Sequence, residues 1–199
     1  MKKICYWSPC LDKVGTYNAV INSVLSLSKY SNKLNNVSII NACGEWDHKK
    51  EFFINNGINV IDLSFSYFNY LPKRGFLGSR ASYLFIILMS IIPLIRFLIK
   101  YRPEFFIGHL LTILPIILFN VFNFKSKFIL RISGYPRLNF LRKNLWKFFS
   151  KRIYKITCPS EDLKSQLIND HIFEKEKLFF LPDPILNIDK FKNDIKSFY

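Results

Sequence analysis

Apolar residues fall into two rhythms that alternate along the chain. Short uninterrupted runs bounded by polar or proline-containing segments read as buried strands, and longer stretches with apolar residues at helical spacing read as helices. Residues 3–7 (KICYW) form the first run, which ends at Ser8-Pro9. Val20, Ile21, Val24, Leu25 and Leu27 then recur at near-helical spacing and predict a helix over 16–30. Strands follow at 37–41 and 58–63, separated by a helix over 48–55 that Asn56-Gly57 terminates.

The order continues with a long apolar helix over 79–101, a strand at 105–109, a helix at 112–120 and a strand at 128–133. A helix over 138–154 carries Leu138, Leu141, Leu145, Phe148, Phe149 and Ile153 on one face and Lys143, Lys147 and Lys151 on the other, so it is basic and amphipathic. A strand at 155–158 precedes a helix in which Ser160 can cap the free amides while Glu161 and Asp162 complement the positive end of the dipole. A last strand lies at 177–181. Strands that alternate with helices pair in parallel, because the chain must cross back over the sheet between them. The expected fold is therefore α/β, a doubly wound, mostly parallel sheet with helices on both faces.

Two stretches approach the length of a membrane span. The run from Tyr83 to Ile95 is broken by Arg96, and residues 105–124 hold no Lys, Arg, Asp or Glu but do contain His109, Thr112, Pro115, Asn120 and Asn123. A strand, loop and core helix accommodate that polar load more readily than a spanning helix does. A third arrangement lays the helix over 80–102 or that over 138–154 on a bilayer surface, with its basic residues near the headgroups.

Length and charge narrow the class. A chain of 199 residues with 50% hydrophobic content suits one sizeable core. Cys5, Cys10, Cys43 and Cys158 are scattered without CxxC spacing, which argues against a disulfide framework or zinc site and fits reduced thiols in the cytoplasm. The net charge of +15 is regional: between Leu63 and Ser160 sixteen Lys or Arg face one acid, Glu104, while the remainder balances at thirteen of each. A bias of codon usage would not strip acids from one region, so a polyanionic partner is expected. Nucleic acid is disfavoured because no RRM, helix-turn-helix or zinc-finger signature is present, leaving an anionic membrane surface.

The loops at strand ends carry the candidate chemistry. The dinucleotide fingerprint is absent, since SPCLDKVGTYNAV holds one glycine, Gly15, and the second strand ends at Asn41-Ala-Cys43 with no acid to grip a ribose. In the first loop Lys13 can meet a phosphate and Thr16 can cap the following helix; an ordinary strand-to-helix connection is the competing reading. His109 ends a strand and has the proton-carrying range for hydrogen bonding or acid–base work, although a histidine there can equally be structural. Arg131 and Arg137 flank Ser133, Gly134 and Tyr135, a set suited to forked phosphate contacts or simply to a tight turn before a helix. No DxD sequence occurs, so a metal-bridged diphosphate site has no support.

KICYWSP at 3–9, Gly15, FFIGH at 105–109, FILRISGYPRLN at 128–139, ITCPSEDLK at 156–164 and KLFFLPDPI at 177–185 stand in an order that resembles the amino-terminal domain of GT-B glycosyltransferases, specifically the family 4 type of bacterial surface-polysaccharide clusters. The family pattern has a glycine pair in the first loop where this chain has Val14-Gly15. The resemblance implies an acceptor-side domain over residues 1–186, with 187–199 beginning a linker to a nucleotide-sugar-binding domain. It implies a metal-independent, hexosyltransferase-like enzyme of which this chain is an incomplete and inactive half. No bound cofactor is implied; a nucleotide sugar is the co-substrate, and the acceptor implied is a lipid-linked saccharide at the inner face of the plasma membrane. His109 takes the catalytic position against the transferred sugar. Asp12, Lys13, Gly15, Thr16, Arg131, Ser133, Gly134, Tyr135, Arg137, Ser160 and Glu161 line the cleft. The alternative is a membrane-associated interaction protein with two hydrophobic segments and no catalysis.

Overall fold

The computed structural model describes residues 1–11, 15–31, 35–136 and 140–184. Within them β1 (Lys2–Trp7), α1 (Gly15–Tyr30), β2 (Asn35–Asn41), α2 (Lys50–Asn55) and β3 (Asn59–Asp62) form the first half. The second half runs α3 (Phe76–Tyr101), β4 (Phe105–Gly108), α4 (Ile113–Val121), β5 (Lys127–Arg131), α5 (Phe140–Phe149), β6 (Lys155–Cys158), α6 (Glu161–Asn169) and β7 (Leu178–Phe180). The strands make one seven-stranded sheet in the order β3-β2-β1-β4-β5-β6-β7. Every pairing is parallel, as the alternation predicts.

Side chains along the strands alternate between two cores. Ile4, Tyr6, Val37 and Ile39 pack with Val20, Ile21 and Val24 of α1 and Phe53 of α2. Cys5, Trp7, Ile40, Phe106, Phe128, Leu130 and Ile156 pack on the other face with residues of α3, α4 and α6. The last four or five residues of β1 and β2 are buried regardless of the face they point to, whereas β4 and β6 alternate between half-buried and buried positions. The sheet is thus covered on both sides near its centre and more fully on one side than the other beyond β1.

Several boundaries differ from the sequence pattern. The long helix begins at Phe76 rather than 79, after Gly75 at φ 80° supplies a left-handed entry. β5 ends at Arg131 instead of 133; the Ile132 amide still donates to the Thr157 carbonyl at 3.0 Å, and Ser133 and Gly134 beyond it are exposed. α5 ends at Phe149, and a short 3₁₀ turn over Ser150–Arg152 leads into β6. Residues 105–124, the second span-length stretch, are β4, a loop, α4 and the turn beyond it.

Candidate functional site

The chain leaves β1 towards α1 on one side of the sheet and leaves β4 towards α4 on the other, so the adjacent carboxyl ends of β1 and β4 form the topological switch point. Ligands of open α/β sheets bind in the crevice that opens there. Trp7 pairs with Gly108 in the register, and the next residues, Ser8 and His109, emerge side by side. The His109 amide still donates to the Trp7 carbonyl at 3.0 Å, which fixes the imidazole at the crevice floor. Gly108 is required beneath it, since a Cβ there would stand 2.9 Å from Cε2 of the buried Phe128 ring.

His109 is only 4% exposed. Its Nε2 lies 2.7 Å from Ser133 Oγ at the end of β5, and its Nδ1 is buried with no hydrogen-bond partner among the described residues. Burial, aided by the nearby Arg131 guanidinium and partly offset by Asp183, pulls its pKa from 6.5 down to about 4. The imidazole is therefore neutral at physiological pH. Ser8 Oγ and Thr16 Oγ1, on the loop and helix that follow β1, are likewise buried without partners. Unpaired buried atoms occur elsewhere among the described residues too, at Ser31, Trp46, Tyr67, Ser90 and Ser126, so what distinguishes His109 and Ser8 is their place at the switch point.

Arg131 is 6% exposed and faces inward. Its Nε donates to Asp183 Oδ1 at 2.9 Å, its Nη2 also reaches that oxygen, and Nη2 donates to the Pro182 carbonyl at 3.1 Å. The Pro184 carbonyl accepts from Nδ2 of Asn22 on α1 at 2.7 Å. The segment after β7 is thereby strapped from the end of β5 to α1. Arg131 serves this strap, rather than presenting an open fork to solvent.

The other residues singled out in the sequence divide. Gly15 begins α1 with open space around its Cβ position, and its φ is not among the positive ones. Thr16 sits inside the first turn of α1 without a capping bond among the described residues. Ser133 meets His109; Gly134 is exposed beside it. Tyr135 turns away, its hydroxyl bonded to Asp170 at the end of α6, and that carboxylate lies 3.7 Å from Lys143. Ser160 Oγ accepts from the Leu163 amide at 3.2 Å as the cap of α6, and Glu161 pairs with Lys164 at 3.2 Å. Asp12, Lys13 and Arg137, with residues 187–199, lie outside the described residues.

A second hollow of about 520 Å³ adjoins the β1 loop and was not read from the sequence. Cys10, Leu11 and Tyr17 line one side, Glu45, Asp47 and His48 of the loop after β2 a second, and Phe68, Asn69 and Lys73 the third. Tyr17 Oη is 2.8 Å from His48 Nε2, and its ring stacks on Trp46 with centroids 4.9 Å apart. The loop is held by Glu45, fully buried, whose carboxylate accepts the Ala42 and Cys43 amides at 3.0 and 2.8 Å. Burial pushes the Glu45 pKa upward against those amides. The available signal was positional: GEWDH follows the second strand, at the same end of the sheet as His109.

No protein-family model and no curated protein sequence matches the chain. Among solved structures, a glycosyltransferase from Rickettsia africae ESF-5 superposes with a TM-score of 0.62 at 15% identity, over 99% of this chain and 49% of that one. A UDP-GlcNAc 2-epimerase from Neisseria meningitidis, solved with UDP-GlcNAc bound, gives 0.59 at 15% identity, over 99% and 50%. The calicheamicin glycosyltransferase CalG4 gives 0.57 at 10% identity, over 92% and 53%. The chain has the Rossmann-like α/β architecture of one half of a GT-B fold and spans about half the length of these structures.

Proposed function

We propose that this chain is the acceptor-side domain of a metal-independent, hexosyltransferase-like glycosyltransferase of the family 4 type. The enzyme moves a sugar from a nucleotide-sugar donor to a lipid-linked saccharide in surface-polysaccharide synthesis, at the cytoplasmic face of the plasma membrane. The observation that carries the reading is the neutral, buried His109 at the β1–β4 switch point, bonded to Ser133 on one side and without a partner among the described residues on the other. Nδ1 is sealed from solvent as it stands, so a sugar hydroxyl reaches it once the loops over the ring shift, and the bond then formed satisfies a desolvated atom. Neutrality suits the group, because a neutral imidazole can either accept or donate a proton according to its tautomer.

The 520 Å³ hollow at the loop after β1 combines ring faces with Asp47, His48, Asn69 and Lys73, the mixture of apolar surface and directed polar groups that a saccharide needs. The nucleotide sugar belongs mainly to a second half, where positive groups and a helix end stabilise the departing diphosphate. The epimerase neighbour solved with UDP-GlcNAc supports a nucleotide-sugar partner.

Sugar transfer is measured with labelled nucleotide sugars and lipid extract. The samples are residues 1–199 alone and the same residues co-expressed with a nucleotide-sugar-binding half encoded in the same or an adjacent reading frame. Transfer is expected only from the combination and falls by about 10²-fold or more in His109→Ala. Full transfer by residues 1–199 alone overturns the half-enzyme assignment. Interconversion of the nucleotide sugar without transfer places the activity with the epimerases. No turnover by the combination, with carbonate-resistant membrane association, favours an interaction protein instead.

A further inference from the structure

Among the described residues one helix, α3, is long and apolar enough by composition to cross a membrane. Its connections forbid that, because β3 before it and β4 after it are strands of one parallel sheet. The helix instead packs Ser82, Ile86, Ser90, Leu94 and Leu98, a strict four-residue repeat, against the core. The opposite side is also apolar: Leu84, Leu88 and Ile92 are 57%, 58% and 59% exposed. A helix with only one of its apolar faces covered has an unfilled contact.

The neighbouring helix repeats the pattern. α4 contacts α3, packs its own inner side on the same sheet face, and turns Ile113, Ile117 and Val121 outward. The outer surface of this layer is therefore a pair of adjacent apolar stripes. The cations sit at the margins. Arg80 precedes the α3 stripe, Arg96 and Lys100 follow it, and the span from Arg80 to Arg96 is roughly 24 Å along the axis. An open groove of about 830 Å³ beside the last turns of α3 is lined by Lys3, Arg96 and Lys100, with Asp62 and Tyr101. The layer lies within the basic stretch from Leu63 to Ser160, and from α3 to α4 the chain carries Arg80, Arg96, Lys100 and Arg102 against the single acid Glu104.

We propose that the outer face of α3 and α4 is a docking surface for an anionic phospholipid bilayer, with Leu84, Leu88 and Ile92 seated among acyl chains and Arg96 and Lys100 meeting headgroup phosphates. Charge complementarity selects this occupant: a membrane of anionic lipid answers apolar stripes bordered by cations, and long basic side chains reach back to headgroups from such a position. The inference deepens the membrane location proposed above and does not depend on the transfer reaction.

Flotation of the 199-residue chain with vesicles of phosphatidylcholine, alone or mixed with phosphatidylglycerol, tests it. The wild type is expected to float with the mixed vesicles and poorly with phosphatidylcholine alone. Leu88→Glu with Ile92→Glu should reduce the bound fraction at least tenfold, and Arg96→Glu with Lys100→Glu should abolish the preference for phosphatidylglycerol. Because these side chains project outward, circular dichroism of each variant should match the wild type. Leu88→Trp gives a second reading that removes no apolar surface: its fluorescence should shift to the blue and be quenched by brominated acyl chains. Absence of flotation, flotation of the Leu88→Glu/Ile92→Glu variant at the wild-type level, absence of quenching, or a solution dimer dissociated by that double variant each overturns the proposal. Floating protein without sugar transfer leaves this inference standing and removes the enzymatic one; transfer to a soluble acceptor by protein that does not float does the reverse.

Discussion

Acidification should destabilise this domain through His109 more than through any ordinary surface histidine. The folded state holds its pKa near 4 against 6.5 in the unfolded chain. The sign follows from proton counting: between those values the unfolded chain binds a proton that the folded chain refuses, so stability rises with pH across the window and falls as pH drops from 6.5 towards 4. Above 6.5 both states are neutral at this residue and the effect vanishes. A shift of this size corresponds to roughly 3 kcal/mol at the low end of the window, a large fraction of the stability of a typical domain. The assay is urea unfolding followed by circular dichroism at intervals from pH 7.5 to 4.5, on wild type and His109→Gln, which keeps polarity near Ser133 but cannot titrate. The difference between the two curves should grow as pH falls. Parallel curves would refute the reasoning, because they would mean that the imidazole titrates alike in both states.

Three further outcomes follow from the packing. Asp183→Ala leaves the buried Arg131 guanidinium without its carboxylate and should cost about 3 kcal/mol or more, read as a lowered urea midpoint, while Glu161→Ala, which breaks an exposed pair, should change it by less than about 1 kcal/mol. Gly108→Ala drives a methyl group against Phe128, which is itself wedged on Phe119 with centroids 4.9 Å apart, so about 1–3 kcal/mol should be lost in the same titration; Gly15→Ala meets open space and should leave stability nearly unchanged. Ser160→Ala removes the cap of α6 and should lower stability by about 1 kcal/mol, with Ser160→Asp restoring it.

The fold was legible because parallel strands covered by helices appear as plain apolar runs, and all seven announced themselves that way. His109 and Ser133 could be placed at strand ends for the same reason, and their 2.7 Å contact is a product of adjacent strands in register. What stayed hidden depends on pairing across distance. Arg131 meets Asp183 fifty-two positions later, so a guanidinium that looks available for phosphate in the sequence is already engaged in the fold. The hollow at Tyr17, His48 and Lys73 escaped notice because three loops contribute to it and none has a local signature. Hydrophobic spacing also showed that α3 was apolar but not which of its faces would find a partner, since that is decided by the core residues distant in sequence that pack against it.

The strap at Pro182–Pro184 makes the proton affinity of His109 a gauge of chain position. Asp183 is the carboxylate that partly offsets Arg131 at the imidazole. Any displacement that lifts the strap off β5 withdraws that negative charge from the ring and at the same time opens the buried ring to solvent, two changes that act on the imidazole in opposite directions, so its proton affinity responds to where the strap sits. Tension applied to the contact at Asn22 is thus converted into a chemical-shift change at a single ring, and the imidazole resonances of His109 would report, from inside the crevice, how the Pro182–Pro184 strap is being held.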